Sequence, residues 1–302
     1  MPKEKIAFII NPVSGRSLKS TIKEIIRRNI DLTKYVPLFY VTKYPGHANE
    51  LTYQAANEGC TKVIAVGGDG TVNEIGGVAT ELKLTLGIIP IGSGNGLARH
   101  LGIPLNIKQA IRIINSNNTM HIDAGKINDI WFFCTCGIGF DAKIGRKFSK
   151  TKVRGFISYI KTVVREFRRY NSRKYKIYVD NKKIIRRAFL ITIANASQYG
   201  NNAFIAPQAR IDDGFFDVCI LKPFPILKVF TLTIMLFRRS LDESNYYEVI
   251  RAKQVNFKKP KKKYIFHYDG EPVKFKKEKI DIIIFPKCLE VMVPHSRKKP
   301  AS

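Results

Sequence analysis

The feature that most limits the fold is a series of short apolar runs in the first hundred residues, each closed by a turn rich in small polar residues. Residues 5–10 run into Asn11-Pro12-Val13-Ser14-Gly15, residues 61–66 into Gly67-Gly68-Asp69-Gly70-Thr71, and residues 85–91 into Gly92-Ser93-Gly94-Asn95-Gly96. Helix-like stretches over 17–28 and 48–58, and an extended segment over 35–42, fall between them. Strands that alternate with helices, each strand delivering such a turn, predict a parallel α/β sheet flanked by helices. Ligands of these sheets bind at the carboxyl ends of the strands, where the turns fall.

Beyond about residue 122 the pattern changes. Residues 131–136, 175–179, 188–194, 216–221, 246–252, 254–258, 264–268, 280–284 and 289–293 are short β-type runs with few helical patterns between them. This texture predicts a mainly antiparallel β domain over 123–284, following an α/β domain over 1–122. A helix-like apolar run at 229–237, closed by Arg238 and Arg239, is shorter than the roughly 18 apolar residues that a membrane span requires. No cleavable signal pattern is visible at the start of the chain. The five cysteines show no CxxC spacing, which predicts reduced, packed thiols in a cytoplasmic protein and argues against a zinc site.

Charge narrows the partners. Lysine and arginine number 52 against 24 acidic residues, a formal +28. Such a field favours a polyanion: nucleic acid, an anionic membrane leaflet or phosphorylated small molecules. Composition does not choose among these, and it leaves a homodimer open.

The segment Gly67–Glu74 chooses more sharply. Glycines permit positive φ and close backbone approach, so several N–H groups can point at one anion. The helix that begins there adds its dipole to the same place. A strand–helix turn that merely needs glycines is the plainer reading, but this segment carries more than a turn requires. The loops at 11–15 and 92–96 repeat the device, and three of them in one sheet can converge on one phosphate group. Neither a Walker loop nor the protein-kinase motif set is present. A formal GxGxxA match at Gly137, Gly139 and Ala142 is followed by a basic segment where a ribose-binding acid should stand, and we discount it.

The ordered set of Asn11–Gly15, Gly46-His47-Ala48, Gly67–Glu74, residues 89–95 with Leu97-Ala98-Arg99, Asp123-Ala124-Gly125, residues 209–216 and Asp269-Gly270-Glu271-Pro272 resembles the diacylglycerol kinase catalytic domain family of bacterial lipid kinases, which is related to the sphingosine kinases. The resemblance spans nearly the whole chain. It implies an ATP-dependent lipid kinase with a nucleotide-binding α/β domain and a β-sandwich lipid-binding domain. It also implies that residues 285–302 return to the first domain. ATP would be held by Asn11, Pro12, Ser14, Gly15, Thr42, Gly67, Gly68, Asp69, Gly70, Thr71, Asn73 and Ser93. Asp69 and Asp123 would belong to a water-mediated Mg²⁺ network, and Glu271 would be the general base. A structural Mg²⁺ would be bound by the Asp213 carboxylate with carbonyls of Arg210 and Phe215.

The chain departs from the family at Gly96, where diacylglycerol kinases carry Asp in a GTGND motif; the Ser-Gly-Asn form here is closer to the sphingosine kinases. The family as a whole implies diacylglycerol as the substrate, whereas Gly96 points to a sphingoid base or other lipid as the alternative and removes one carboxylate of the Mg²⁺ network. Read without the resemblance, Tyr268-Asp269-Gly270-Glu271 is also good hairpin chemistry, Asp213-Gly214 is also an ordinary turn, and the segment 222–239, apolar between basic ends, reads either as an interfacial segment that dips into the headgroup region or as an ordinary core helix. NAD kinase would explain Gly67–Thr71 but neither the third loop nor Glu271. A nucleic-acid-binding module would use the charge, and the basic stretch 143–176 holds aromatics, but it would leave the loops idle. Nucleic acid is thus disfavoured, and the expected partners are ATP, a membrane lipid and the anionic membrane surface that carries it. Residues 143–176 and 258–263 would supply the basic side chains that hold the protein peripherally on that surface.

Overall fold

The structure, a computed structural model, describes residues 2–14, 21–140, 167, 170–258, 265–275, 277 and 279–295. Gly15, the start of the 17–28 helix, residues 143–166 of the basic stretch, residues 259–263 and the 297–299 tail lie outside the described residues. The chain forms two compact units, Met1–Asp123 with Pro286–Ser302, and Ala124–Phe285.

In the first unit, β1 (Glu4–Ile10), β2 (Tyr35–Val41), β3 (Lys62–Gly67) and β4 (Thr85–Pro90) pair in parallel in the order β2-β1-β3-β4. Every residue of β3 and β4 is buried. A parallel strand covered on both faces needs a continuous apolar run, and Val63–Val66 and Leu86–Ile89 supply it. Helices α1 (Thr21–Asn29), α2 (His47–Asn57), α3 (Asp69–Leu82), α4 (Gly96–His100) and α5 (Ile107–Ser116) complete the α/β layer. In α1 the buried pair is Ile22 and Ile26, one turn apart, while Arg27 and Arg28 close its last turn. The Asn106 side chain caps α5 by accepting from the Gln109 N–H, and Asn117 ends it with φ 53°. Because β1, β3 and β4 are parallel neighbours, the loops that leave them emerge side by side.

The other strands are β5 (Thr119–Ile127), β6 (Ile130–Phe132), β7 (Thr135–Gly139), β8 (Arg173–Val179), β9 (Lys182–Ala188), β10 (Leu190–Ala194), β11 (Phe216–Leu221), β12 (Tyr247–Ala252), β13 (Gln254–Lys258), β14 (Phe266–Tyr268), β15 (Glu271–Val273) and β16 (Lys279–Met292). In the second unit one six-stranded sheet runs β12-β11-β10-β7-β14-β15, antiparallel throughout. The opposing sheet joins the start of β16 to β13, β8 and β9, also antiparallel. Between them lies a core that includes Ile191, Phe216, Val218 and Ile220 against Tyr175, Ile177, Val255, Phe257 and Ile282. This is a sandwich packed face to face. A further cluster on the outer side of the six-stranded sheet takes in Leu232 of α6 (Val229–Arg238) with Phe189, Leu190, Cys219 and Leu221. The end of β16 belongs to the first unit, where Val291 pairs in parallel with Leu86.

Several strands differ from the sequence-based expectation. Residues 131–136 break into β6 and β7, because the N–H groups of Phe133, Cys134 and Thr135 turn toward the Asp269 carboxylate. Residues 280–284 and 289–292 belong to one strand, β16, which continues through Pro286 and stops one residue short of the expected run. The run 188–194 splits between β9 and β10 at Phe189. β9 itself, Lys-Lys-Ile-Ile-Arg-Arg-Ala, escapes an apolar pattern because it is an edge strand, where charge deters pairing with other chains.

Candidate functional site

At the carboxyl end of β1, the Asn11 side chain does two things. Its Oδ1 accepts from the Val13 N–H at 3.0 Å, folding the loop back on itself, and its Nδ2 donates to Thr71 Oγ1 at 3.0 Å. The first loop is thereby tied to the first turn of α3. Thr71 is buried against Gly67, where an added Cβ would lie 2.4 Å from Thr71 Oγ1. Glycine at 67 is therefore a packing requirement.

The second and third loops are joined by Asp69. Its Oδ2 accepts from the Asn95 N–H at 2.8 Å and its Oδ1 from the Gly96 N–H at 2.6 Å. Asn95, in the left-handed region at φ 52°, folds its side chain back on Gly92: Oδ1 accepts from the Gly92 N–H and Nδ2 donates to the Gly92 carbonyl. Arg99 Nε donates to the Gly94 carbonyl at 3.0 Å. Gly68 and Gly92 face each other so closely that a Cβ on Gly92 would come 2.5 Å from the Gly68 Cα. A Cβ on Gly68 would lie 3.2 Å from the Gly92 Cα and 3.9 Å from Ser14 Oγ. Loops from β1, β3 and β4 thus converge on a patch of bare backbone, the surface an oligophosphate needs for close approach.

A fourth segment joins from β2. Thr42 is buried and its N–H donates to the Ile10 carbonyl. Glu74 of α3 accepts from the Gly46 N–H at 2.9 Å and the Ala48 N–H at 3.2 Å, placing a carboxylate at the start of α2. His47 Nδ1 accepts from the Lys43 N–H and its ring stacks on Tyr44 at 4.5 Å. Ser93 is exposed, while Pro12, Ser14, Gly68, Asp69, Gly70 and Asn73 are half-buried. Asp123 is fully buried, and its Oδ1 accepts from the Lys287 N–H at 2.7 Å.

In the second unit β14 and β15 form a two-residue hairpin with Tyr268 opposite Glu271. Asp269 (φ 43°) and Gly270 (φ 89°) both take positive φ, as a type I′ turn demands. The Asp269 carboxylate accepts from the N–H groups of Phe133, Cys134 and Thr135 at 2.8–3.0 Å. That anchor fixes the hairpin from which exposed Glu271 projects. Gly137 and Gly139 lie in β7 rather than in a strand–helix turn. Added Cβ atoms there would meet the neighbouring β10 backbone at 2.6 and 2.7 Å, so their spacing serves strand approach.

The turn at 210–215 has its own charge chemistry. Asp213 Oδ1 accepts from the Phe215 N–H at 3.1 Å, and its Oδ2 pairs with Arg251 at 2.5 Å. Arg210 pairs with Asp212 at 3.3 Å. Among the described residues no cluster of three His, Cys, Asp or Glu could hold a metal ion. For a dication at Asp213 the donors do not fit, because Oδ2 is paired with the Arg251 guanidinium and a metal would have to displace that cation to reach it. Asp69 differs. Its oxygens accept from the neutral N–H groups of Asn95 and Gly96, and a carboxylate that accepts from neutral donors can still ligate a metal or its water.

Glu74, Asn95, Asp269 and Arg251 are the organising residues that sequence reading missed. The first three stand within the quoted motifs without a role of their own, and only the fold shows which groups they hold.

Phosphate-type loops at the ends of a parallel sheet, followed along the chain by an antiparallel sandwich, define a class: a phosphotransferase of the diacylglycerol-kinase fold. Residues 5–127 match the diacylglycerol kinase catalytic domain, and residues 134–293 match the YegS C-terminal NAD kinase beta sandwich-like domain. The chain belongs to this lipid kinase family. It is 29% identical over 239 residues to a probable lipid kinase YegS-like from Chromohalobacter salexigens, covering 77% of this chain and 76% of that protein. It is 27% identical to a diacylglycerol kinase of Mycobacterium tuberculosis, covering 85% of each. A crystal structure of a putative diacylglycerol kinase from Bacillus anthracis superposes with a TM-score of 0.76 over 97% of this chain and 98% of that one, at 24% identity.

Proposed function

We propose that this lipid kinase transfers the γ-phosphate of ATP to the hydroxyl of a membrane lipid, diacylglycerol, giving phosphatidic acid. The observation that carries the reading is the convergence of three loops on bare backbone around Gly68 and Gly92, held by Asn11 and Asp69. Asn11, Pro12, Ser14, Gly67, Gly68, Gly70, Thr71, Asn73 and Ser93, with Thr42 below them and Gly15 beside them in sequence, would orient the triphosphate. Mg²⁺ held through Asp69 and Asp123 would neutralise phosphate charge when bound. The lipid hydroxyl oxygen forms the new bond to the γ-phosphorus, the bond to the β,γ-bridging oxygen breaks, and the hydroxyl proton passes to the Glu271 carboxylate. The proposal places the protein in the cytoplasm, bound peripherally to the membrane that carries its substrate.

The test is incubation with γ-labelled ATP and, in separate reactions, diacylglycerol, a sphingoid base, NAD or RNA. Label should enter the organic phase as phosphatidic acid and require Mg²⁺. Transfer to the sphingoid base alone would overturn the choice of lipid, and transfer to NAD alone would overturn the proposal as a whole.

A second observation bears on how the enzyme meets its lipid. Among the described residues no helix is long and apolar enough to cross a membrane. In α6 and the 3-10 turn before it, Val229 and Leu232 are buried, while Ile226 (41%), Leu227 (86%) and Phe230 (68%) are exposed. Lys228 lies within this apolar patch and Arg238 ends the helix. Large apolar side chains ringed by cations suit shallow entry into an anionic leaflet.

A further inference from the structure

We propose that Arg251 holds the 210–215 turn in place of a divalent cation, so that this part of the sandwich is metal-independent in this chain. The family pattern assigns the Asp213 carboxylate and the carbonyls of Arg210 and Phe215 to a structural Mg²⁺. Such an ion does two jobs: it neutralises a carboxylate and it ties the two ends of a turn together. Arg251 does both. Its guanidinium pairs with Asp213 Oδ2 and lies 4.4 Å from the centre of the Phe215 ring. The same side chain therefore grips the turn at both residues that flank Gly214, which takes φ 74°.

Its position is set by the sheet and not by a mobile surface arm. Arg251 stands on β12 directly opposite Asp217 of β11, in the antiparallel register Phe216↔Ala252 to Leu221↔Tyr247. Asp217 is part of the same balance: burial raises its pKa, Arg251 opposes that rise and Asp213 adds to it. Lys253, two residues along, has its Nζ 5.1 Å from the centre of the same Phe215 ring. Around the turn the cations Arg210, Arg251 and Lys253 face the carboxylates Asp212, Asp213 and Asp217. The cluster is balanced without metal. Mg²⁺ needs near-octahedral oxygen ligation and sheds water reluctantly. Here it would have to break an ion pair to gain its one carboxylate, whereas a planar guanidinium suits both the carboxylate and the aromatic face.

The proposal is independent of the lipid kinase reading, and its test uses stability. The full chain without nucleotide is unfolded thermally in EDTA and in millimolar Mg²⁺, alongside Asp213→Asn, Arg251→Met and the double variant. The wild type should show no Mg²⁺-dependent shift that Asp213→Asn removes. Arg251→Met should melt lower by about 2–4 °C, as for loss of a partly exposed ion pair in a domain of this size. Mg²⁺ should restore part of that loss in Arg251→Met but none in the double variant. If Arg251→Met does not fold, Arg251→Gln, which removes the charge but keeps a polar side chain, takes its place with the same readings. Two results would overturn the proposal: a wild-type Tm that rises with Mg²⁺ through Asp213, or a folded Arg251 variant that ignores Mg²⁺.

Discussion

Asp69 shows how one carboxylate can carry both architecture and chemistry. If the loop glycines alone set the backbone here, Asp69→Ala impairs catalysis more than folding. The hydrogen bonds to Asn95 and Gly96 correct this: Asp69 is the tie between two loops, and both of those residues are buried. Removing it leaves two N–H groups unpaired, at a cost of about 1–3 kcal/mol each if water does not replace it. Asp69→Ala should therefore lower the urea midpoint as well as activity, while Asp69→Asn, which keeps one acceptor oxygen, should lose less stability than Ala. Equal stability of Ala and wild type would refute the clamp. Glu271 is the opposite case. It is exposed at the start of β15, and among the described residues no hydrogen bond or ion pair holds its carboxylate. Glu271→Gln should leave the Tm unchanged and cut lipid phosphorylation by about 10²- to 10⁴-fold, the usual cost of losing a general base. A variant that keeps a third of its rate would remove Glu271 from that role. Asp269→Asn should show the mixed result, losing stability and rate together, because its carboxylate anchors the hairpin through backbone N–H groups.

Among the elements, the end of β16 makes the clearest pH prediction. Glu290 accepts from Thr85 Oγ1 at 2.6 Å and Thr119 Oγ1 at 2.8 Å, so it joins this strand to β4 and β5. Its pKa is lowered, first by the Thr85 hydroxyl and then by Thr119, His121 and Lys62, against the opposing effect of burial. A depressed carboxylate contributes stability above its unfolded pKa of about 4.3 and loses it as pH falls through the lower folded value. Glu290→Gln should cost about 1 kcal/mol at neutral pH and flatten the fall in stability below about pH 4.3. An unchanged acid limb in denaturant titrations would contradict this. That clasp could not be read from the chain alone, since Thr85, Thr119 and Glu290 are far apart in sequence and each is unremarkable in its own strand. The parallel sheet could be read, because strands buried on both faces need the continuous apolar runs that Val63–Val66 and Leu86–Ile89 display. The antiparallel class of the second unit was legible for a similar reason: Tyr175, Ile177 and Val179 alternate inward along β8. β9 was not, since an edge strand carries charge instead of a pattern. At the site, glycine spacing announced the loops, but which side chains clamp them depends on neighbours that only the fold supplies.

For the whole molecule, the formal charge of +28 is the property on which the proposed membrane contact depends most. A field of that sign draws the chain toward any anionic surface, and the patch of Ile226, Leu227 and Phe230 gives one face something to bury on arrival. Each basic residue near an anionic leaflet contributes roughly 1 kcal/mol, so a handful suffices once apolar contact is made. The two contributions respond differently to salt. Screening shortens from about 10 Å at 0.1 M to about 3 Å at 1 M, whereas apolar insertion persists. Sedimentation with vesicles should therefore show binding that requires anionic lipid and weakens with salt. Leu227→Ser with Phe230→Ser should weaken it at every salt concentration, because these side chains are exposed and their loss leaves the Val229–Leu232 face packed. Charge reversal belongs at Lys228 and Arg238 rather than Arg239, whose guanidinium lies 4.0 Å from the Phe204 ring centre and has a packing role of its own. Activity on vesicles should fall more than activity on detergent-dispersed lipid in both sets of variants. Equal losses in the two assays would assign these residues to folding or chemistry, and binding to neutral vesicles unaffected by the serine pair would place the membrane contact elsewhere on the surface.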